Sequence, residues 1–228
     1  MKRIGLIRVL SSSDPRLLNI HGRAVREAFG VEVLSRAVQD QPEGVHDVET
    51  HLVAAPKVIA LAADLAPYVD GIMISCSSDP GLKEVRDQLD IPVVGAGSAG
   101  AAAALALGSR IGVLALSVEP PGAVARVLGG HLHGAQSPDG VTHTQDLLTP
   151  SGVYETFLAA ERLVDEGAEV ILQACTGLTS MGVSRELRRR YGLPVVDAVL
   201  AAGSALTLHL GNPGARQHAA DAFDTLSP

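Results

Sequence analysis

The feature that most constrains this chain is an internal repeat. RIGLI at Arg3–Ile7 returns as RIGVL at Arg110–Leu114, IMISCSSDPGL at Ile72–Leu82 is answered by VILQACTGLTSMG at Val170–Gly182, and IPVVGAGSAGAAAAL at Ile91–Leu105 by LPVVDAVLAAGSAL at Leu193–Leu206. The offsets are 107, 99 and 102 residues, so order is kept while loop lengths differ. Self-similarity on this scale points to two like units. Within each unit, short apolar runs alternate with helical patterns. The strand candidates are Arg3–Val9, Val31–Ala37, Gly71–Ser75, Ile91–Val94, Arg110–Leu116, Glu169–Gln173 and Leu193–Val196. Most are rich in Val, Ile and Leu without polar alternation, the pattern of parallel strands covered on both faces. Helical patterns fall at Pro15–Phe29, Val48–Val69, Gly81–Leu89, Ser151–Glu166 and Val183–Tyr191. The expected fold is therefore α/β, two pseudo-symmetric three-layer halves with mainly parallel sheets and a site in the cleft between them. The first half spans 1–97, joined by C-terminal helices at about 199–228, and the second spans 98–198. Gly129–Pro150, crowded with Gly, His, Ser and Pro, is the weakest stretch and reads as loop with a candidate strand at His131–Ala135.

Composition narrows the function classes. Charged residues are 19% and hydrophobic ones 46%, which excludes a disordered chain and allows a sizeable core. A net charge of −7, no Trp and 3% aromatics weigh against nucleic acid or an anionic membrane as partner. Ile91–Ser109 runs 19 residues without a charge, but Pro92, four glycines and an alanine-rich remainder fit a strand, a turn and a small-residue helix better than a membrane span. The N-terminus carries no basic segment leading into a long apolar one, so the cytoplasm is the expected compartment.

Two cysteines cannot make a disulfide scaffold at this length, yet Cys76 and Cys175 occupy equivalent positions of the repeat. A lone cysteine at a strand end is usually a small buried hydrophobe. Here each follows an apolar strand, is followed by small or polar residues (Ser77, Ser78, Asp79; Thr176, Gly177) and precedes a helix, with Asp79 as a cap and Pro80 in the first turn. Free N–H groups at a helix start stabilise a thiolate. In open α/β sheets ligands sit beyond the carboxyl ends of strands, where both thiols fall. There is no C-x-x-C redox spacing, and neither motif has the additional His or Cys that zinc would need. Two thiols across a cleft suit inversion of a carbon stereocentre: one, as thiolate, removes a proton from one face, and the other delivers a proton to the opposite face. The backbone N–H groups after each cysteine are candidate donors to the enolate.

The motifs C-S-S-D-P-G-L at Cys76–Leu82, C-T-G-L at Cys175–Leu178 and the P-V-V strand after each resemble the cofactor-independent aspartate/glutamate/hydantoin racemase superfamily over essentially the whole chain. The resemblance implies two α/β halves, one catalytic cysteine from each, no cofactor, a small-molecule substrate and a homo-oligomer. C-x-x-D-P-G-L is similar to the hydantoin and allantoin branch, and hydantoin C5–H is more acidic than the Cα–H of a free amino acid. Gly177 replaces the polar residue that free amino-acid racemases carry. Arg8–Ser13 stands where the branch has an Asn-Pro-Asn-Thr-like loop. The expected substrate is a 5-substituted hydantoin or related cyclic ureide, with free aspartate or glutamate as alternative. Ser77, Ser78, Asp79, Thr176, Gly177, Ser11 and Ser117 are the candidate substrate contacts.

Rival signals remain. Gly95–Gly100 matches G-x-G-x-x-G after a strand, with Glu119 at the end of the next strand, the mark of an NAD(P)-binding oxidoreductase. The other half lacks those glycines, so they read as close packing. A non-catalytic two-lobed binding module is a further alternative. His131, His133 and His143 have no carboxylate or cysteine at ligand spacing, and no metal is expected. His21 reads as a helix-packing or surface residue. Arg8 reads either as a surface charge or as a contact to a substrate carboxylate or carbonyl.

Overall fold

A computed structural model describes residues 2–211. The first sheet contains β1 (Arg3–Arg8), β2 (Glu32–Ala37), β3 (Gly71–Ser75) and β4 (Val93–Gly95), in the order β2-β1-β3-β4. The second contains β5 (Ile111–Leu114), β6 (Leu132–Gln136), β7 (Val170–Gln173) and β8 (Val195–Asp197), in the matching order β6-β5-β7-β8. Every pairing is parallel. The strand in the Gly129–Pro150 stretch is real, as β6, and Asp146–Leu148 adds one 3-10 turn.

Alternation within β1 sorts its side chains between two layers. Ile4 and Leu6, with Met73, pack under α1 (Pro15–Phe29) and α9 (Ala198–Leu210) through Val25, Val199, Ala202 and Leu206. Ile7, Ile72 and Ile74 pack under α2 (Val48–Leu65) and α3 (Leu82–Gln88). In the second sheet Leu114 and Ile171 meet α6 (Pro150–Asp165) and α8 (Ser184–Tyr191). Ile111, Val113 and Leu172 meet α4 (Ala96–Leu105) and α5 (Gly122–Leu128). Thus α4 follows the last strand of the first sheet but covers the second, and α9 follows the last strand of the second but covers the first. The two exchanged helices also pack on each other. Of the expected C-terminal return, residues 212–228 lie outside the described residues.

Small residues make these crossings close. A Cβ on Gly100 would stand 3.0 Å from the Ala198 side chain and from Leu172 Cδ1, and one on Gly203 would stand 2.9 Å from the Phe29 ring. The weak helix formers in α4 are therefore there for contact between helices.

Candidate active site

Both cysteines stand just past the carboxyl ends of equivalent strands, β3 and β7, and line one cleft of about 500 Å³ between the halves. Cys76 Sγ lies 3.2 Å from Ser78 Oγ and also meets the Ser78 backbone N–H. Cys175, followed directly by Thr176 and the short helix α7 (Gly177–Met181), has the Gly177 N–H and the Thr144 side chain beside it, and its carbonyl accepts from Leu178 N at 3.0 Å. Of the N–H groups expected to serve an enolate, those of Asp79 and Leu178 are instead bonded to the carbonyls of Cys76 and Cys175, at 3.1 and 3.0 Å. Burial pushes both thiols up from 9.0, Cys175 to about 11, where the charge of Cys76 adds to the effect.

Arg8, at the end of β1, lines the same cleft, and its charge is felt by both thiols. It is 2% exposed, so the surface-charge reading is incorrect; burial lowers its pKa to about 10, and the two cysteines oppose that lowering. One guanidinium N–H donates to His21 Nδ1, which also meets Ser75 Oγ at 2.8 Å. Arginine can only donate, so Nδ1 accepts and the neutral ring carries its proton on Nε2, 3.0 Å from Ser180 Oγ. Burial, then the Arg8 charge, holds His21 well below 6.5. His21 is fully buried and is a positioning residue rather than a surface one: it ties α1 to β3, to Ser180 on α7 and to the cationic side chain of the cleft. The second half has Ala115 and Ala174 at the positions matching Arg8 and Ser75, so it has no counterpart of this residue pair, and its own cleft arginine is Arg126 on α5. Arg8 Nε and Ser77 Oγ are buried cleft atoms with no hydrogen-bond partner among the described residues.

The other expected contacts divide. Ser77, Ser78, Thr176 and Ser117 line the cleft. Ser117 Oγ accepts from Glu119 N at 3.1 Å. Three do not line it. Ser11 is turned away, donating to Val38 O (2.8 Å) and accepting from Gln41 N (2.7 Å), which pins the turn after β2. Gly177 lies behind Cys175, where a Cβ would stand 2.6 Å from Thr144 Cγ2 and 2.8 Å from Leu147 Cδ1; it is small to let that N–H reach sulfur. Asp79 does cap a helix, but α4 rather than α3: its two oxygens accept from Gly97 N and Ser98 N at 2.8 Å each. Gly81, at φ 69°, leads into α3 instead.

That cap also answers the glycine signature. The α4 N-terminus that a pyrophosphate would need is filled by Asp79, and a Cβ on Gly97 would lie 2.0 Å from Ser77 O. The glycines let α4 close on the Cys76 loop. In the second half Asp197, at the position of Gly95, caps α9 by accepting from Val199 N and Leu200 N at 2.9 and 3.1 Å.

Several cleft residues went unflagged in the sequence. Val45, His46 and His51 arrive on the segment leading from β2 into α2, and Arg126 on α5. The signal available was topological, since every loop after a parallel strand opens at this same edge. His131 and His133 are bonded to the carbonyls of Ser109 and Glu166. His143, by contrast, does find partners: Glu43 and His46 come to it from the other half, a grouping no sequence spacing could show.

Two parallel α/β halves presenting one cysteine each to a shared cleft define the class of protein. A sequence profile described as Asp/Glu/hydantoin racemase matches residues 21–206. The chain belongs to the Asp/Glu/hydantoin racemase family, and with it to the isomerases. The hydantoin racemase of Rhizobium meliloti is 26% identical over 173 residues, covering 72% of this chain and 70% of that protein. The hydantoin racemase of Paenarthrobacter aurescens is 31% identical over 147 residues, 58% of each. In fold, allantoin racemase from Klebsiella pneumoniae superposes with a TM-score of 0.76 at 23% identity, over 92% of this chain and 89% of that one. No helix among the described residues is long and apolar enough to cross a membrane.

Proposed function

We propose that the chain racemises a 5-substituted hydantoin or related cyclic ureide without a cofactor, with Cys76 and Cys175 as the acid–base pair. The observation that carries this is the buried cationic Arg8 side chain that shares one cleft with two thiols from equivalent strands. In one direction the Cys76 thiolate takes the C5 proton, the electron pair moves into the C4 carbonyl as an enolate, and the Cys175 thiol delivers its own proton to the opposite face. The product leaves with Cys76 protonated and Cys175 as thiolate, ready for the opposite enantiomer. Arg8 supplies positive charge for the thiolate and the enolate oxygen, and the unpartnered Nε and Ser77 Oγ are suited to ring carbonyl and N–H groups. The names of the hydantoin racemases among its relatives support the substrate class. The same reading divides the chain into 1–97 with 199–228, and 98–198, and the exchange of α4 and α9 supports that division.

Proton NMR in deuterium oxide, with enantiopure hydantoins and amino acids side by side, tests it. Hydantoins should lose the C5 proton while the mirror image accumulates. Cys76→Ser and Cys175→Ser should each lower racemisation about 10²–10⁴-fold, the usual contribution of one acid–base group. Full activity in both variants would remove the mechanism, and turnover confined to free amino acids would remove the substrate.

A further inference from the structure

At the mouth of the cleft, ligand-type side chains from the two halves converge. Glu43 and His46 lie on the loop between β2 and α2, His143 on the loop between β6 and α6, and one donor atom from each lies within 4.8 Å of the others. His143 Nε2 is 3.7 Å from Glu43 Oε2, and the two imidazoles meet edge to face with centroids 5.2 Å apart. Two ligands bound to one tetrahedral zinc at about 2.0–2.1 Å stand roughly 3.4 Å apart, so the cluster is close to coordination geometry, and Glu43, the exposed member, is free to close the difference.

The surroundings complete the pattern. A metal-binding imidazole usually engages a carboxylate or hydroxyl through its other nitrogen. His143 Nδ1 lies 2.9 Å from Thr142 Oγ1 and 3.6 Å from Asp146 Oδ2, leaving Nε2 toward Glu43. His46 Nε2 lies 3.7 Å from Asp47 Oδ2, and its Nδ1 is buried with no hydrogen-bond partner among the described residues. A simple stacked histidine pair leaves that nitrogen unsatisfied; a cation accounts for it.

We propose that Glu43, His46 and His143 bind one divalent transition ion, zinc before others, with a fourth position open to water. Two imidazoles and a carboxylate favour such an ion over magnesium or calcium, which prefer all-oxygen sets. The ion clasps the loops of opposite halves over the cleft. Those loops already touch through Gln145 Nε2, which donates to Pro42 O at 3.2 Å, while His46 lines the cleft and Thr144, beside His143, reaches Cys175. The clasp is distinct from the cysteine pair and independent of the substrate assigned to it.

The test must separate this site from the cleft thiols, which also attract zinc. The host is the full chain carrying Cys76→Ser and Cys175→Ser, stripped with chelator, then titrated calorimetrically with zinc alone and spectroscopically with cobalt(II). One ion per chain should bind, and cobalt should show its visible bands without the near-ultraviolet charge transfer of a thiolate. Adding His143→Ala, or His143→Gln as the milder change, should weaken binding at least about tenfold. Zinc should also raise the melting temperature of the host but not of the His143 variants. No ion bound by the host overturns the proposal, and so does binding that His143→Ala and His143→Gln leave unchanged, which would mark an adventitious ion only.

Discussion

The two halves cap their exchanged helices with a carboxylate from different places, and the structure allows one to be converted into the other. Asp79 reaches across to α4 from the Cys76 loop, while Asp197 caps α9 from the strand position that matches Gly95. A Cβ on Gly95 would fall 2.3 Å from Asp79 Cγ, so the two arrangements compete for one volume. Asp79→Ala removes two 2.8 Å bonds to the start of α4. Loss of such a cap costs typically ~1 and up to ~2 kcal/mol. Asp79 also sits at φ 51°, a left-handed conformation in which alanine is less at ease than aspartate. Together these give about 2 kcal/mol, or roughly a 6 °C fall in melting temperature for a chain of this size. Gly95→Asp alone forces two carboxylates together and should cost about as much again. Combined, Asp79→Ala and Gly95→Asp restore a single cap in the manner of Asp197. The double variant should then be about 1 kcal/mol more stable than Asp79→Ala, which corresponds to a coupling of about 3 kcal/mol in the cycle. Urea unfolding of the four proteins, followed by circular dichroism, measures it. If the two costs simply add, the equivalence of the two caps is wrong.

Two further outcomes concern the chemistry. Because the base is a thiolate and burial raises Cys76 from 9.0, its active fraction grows with pH. kcat/KM should therefore climb nearly tenfold per unit from about pH 7 to about pH 9 and fall again as Cys175 loses its proton near about 11. A profile flat through neutrality would contradict the assigned base. Arg8→Met keeps the bulk and removes the charge that acts on both thiols, so kcat should drop about 10²–10³-fold, as for loss of one oxyanion-stabilising group. The melting temperature should hold or rise, because a buried cation costs desolvation; full activity in this variant would make Arg8 a bystander.

Much of the architecture was legible in the chain, and the reasons are local. Unalternating apolar runs such as Ile72–Ile74 and Val170–Leu172 read as buried parallel strands because they are too short for helices and are rich in β-branched residues. Repetition then paired Cys76 with Cys175. What escaped depended on partners far away in sequence. Asp79 stands close before α3, as a cap of that helix would, yet serves α4, because the turn through Gly81 carries α3 away and brings Gly97 beside it. His21 sits on an amphipathic helix like any packing residue; its role comes from Ser75 and Ser180, and the latter is 159 residues away. Short α5, opening on Gly122-Ala123, lacks enough apolar period to stand out from the loop around it.

The exchange of α4 and α9 also governs how the molecule comes into being. When the first four strands have left the ribosome, the face of their sheet bearing Ile4, Leu6 and Met73 still lacks α9, which ends the described chain. The second core draws its cover from α4, already made, and can close first, while the first core waits for α9; a cut between the halves would leave each with its neighbour's helix and without its own cover. Completion of the first half is therefore a late event, with an exposed apolar face waiting for it and every opportunity for a second copy to lend the missing helix.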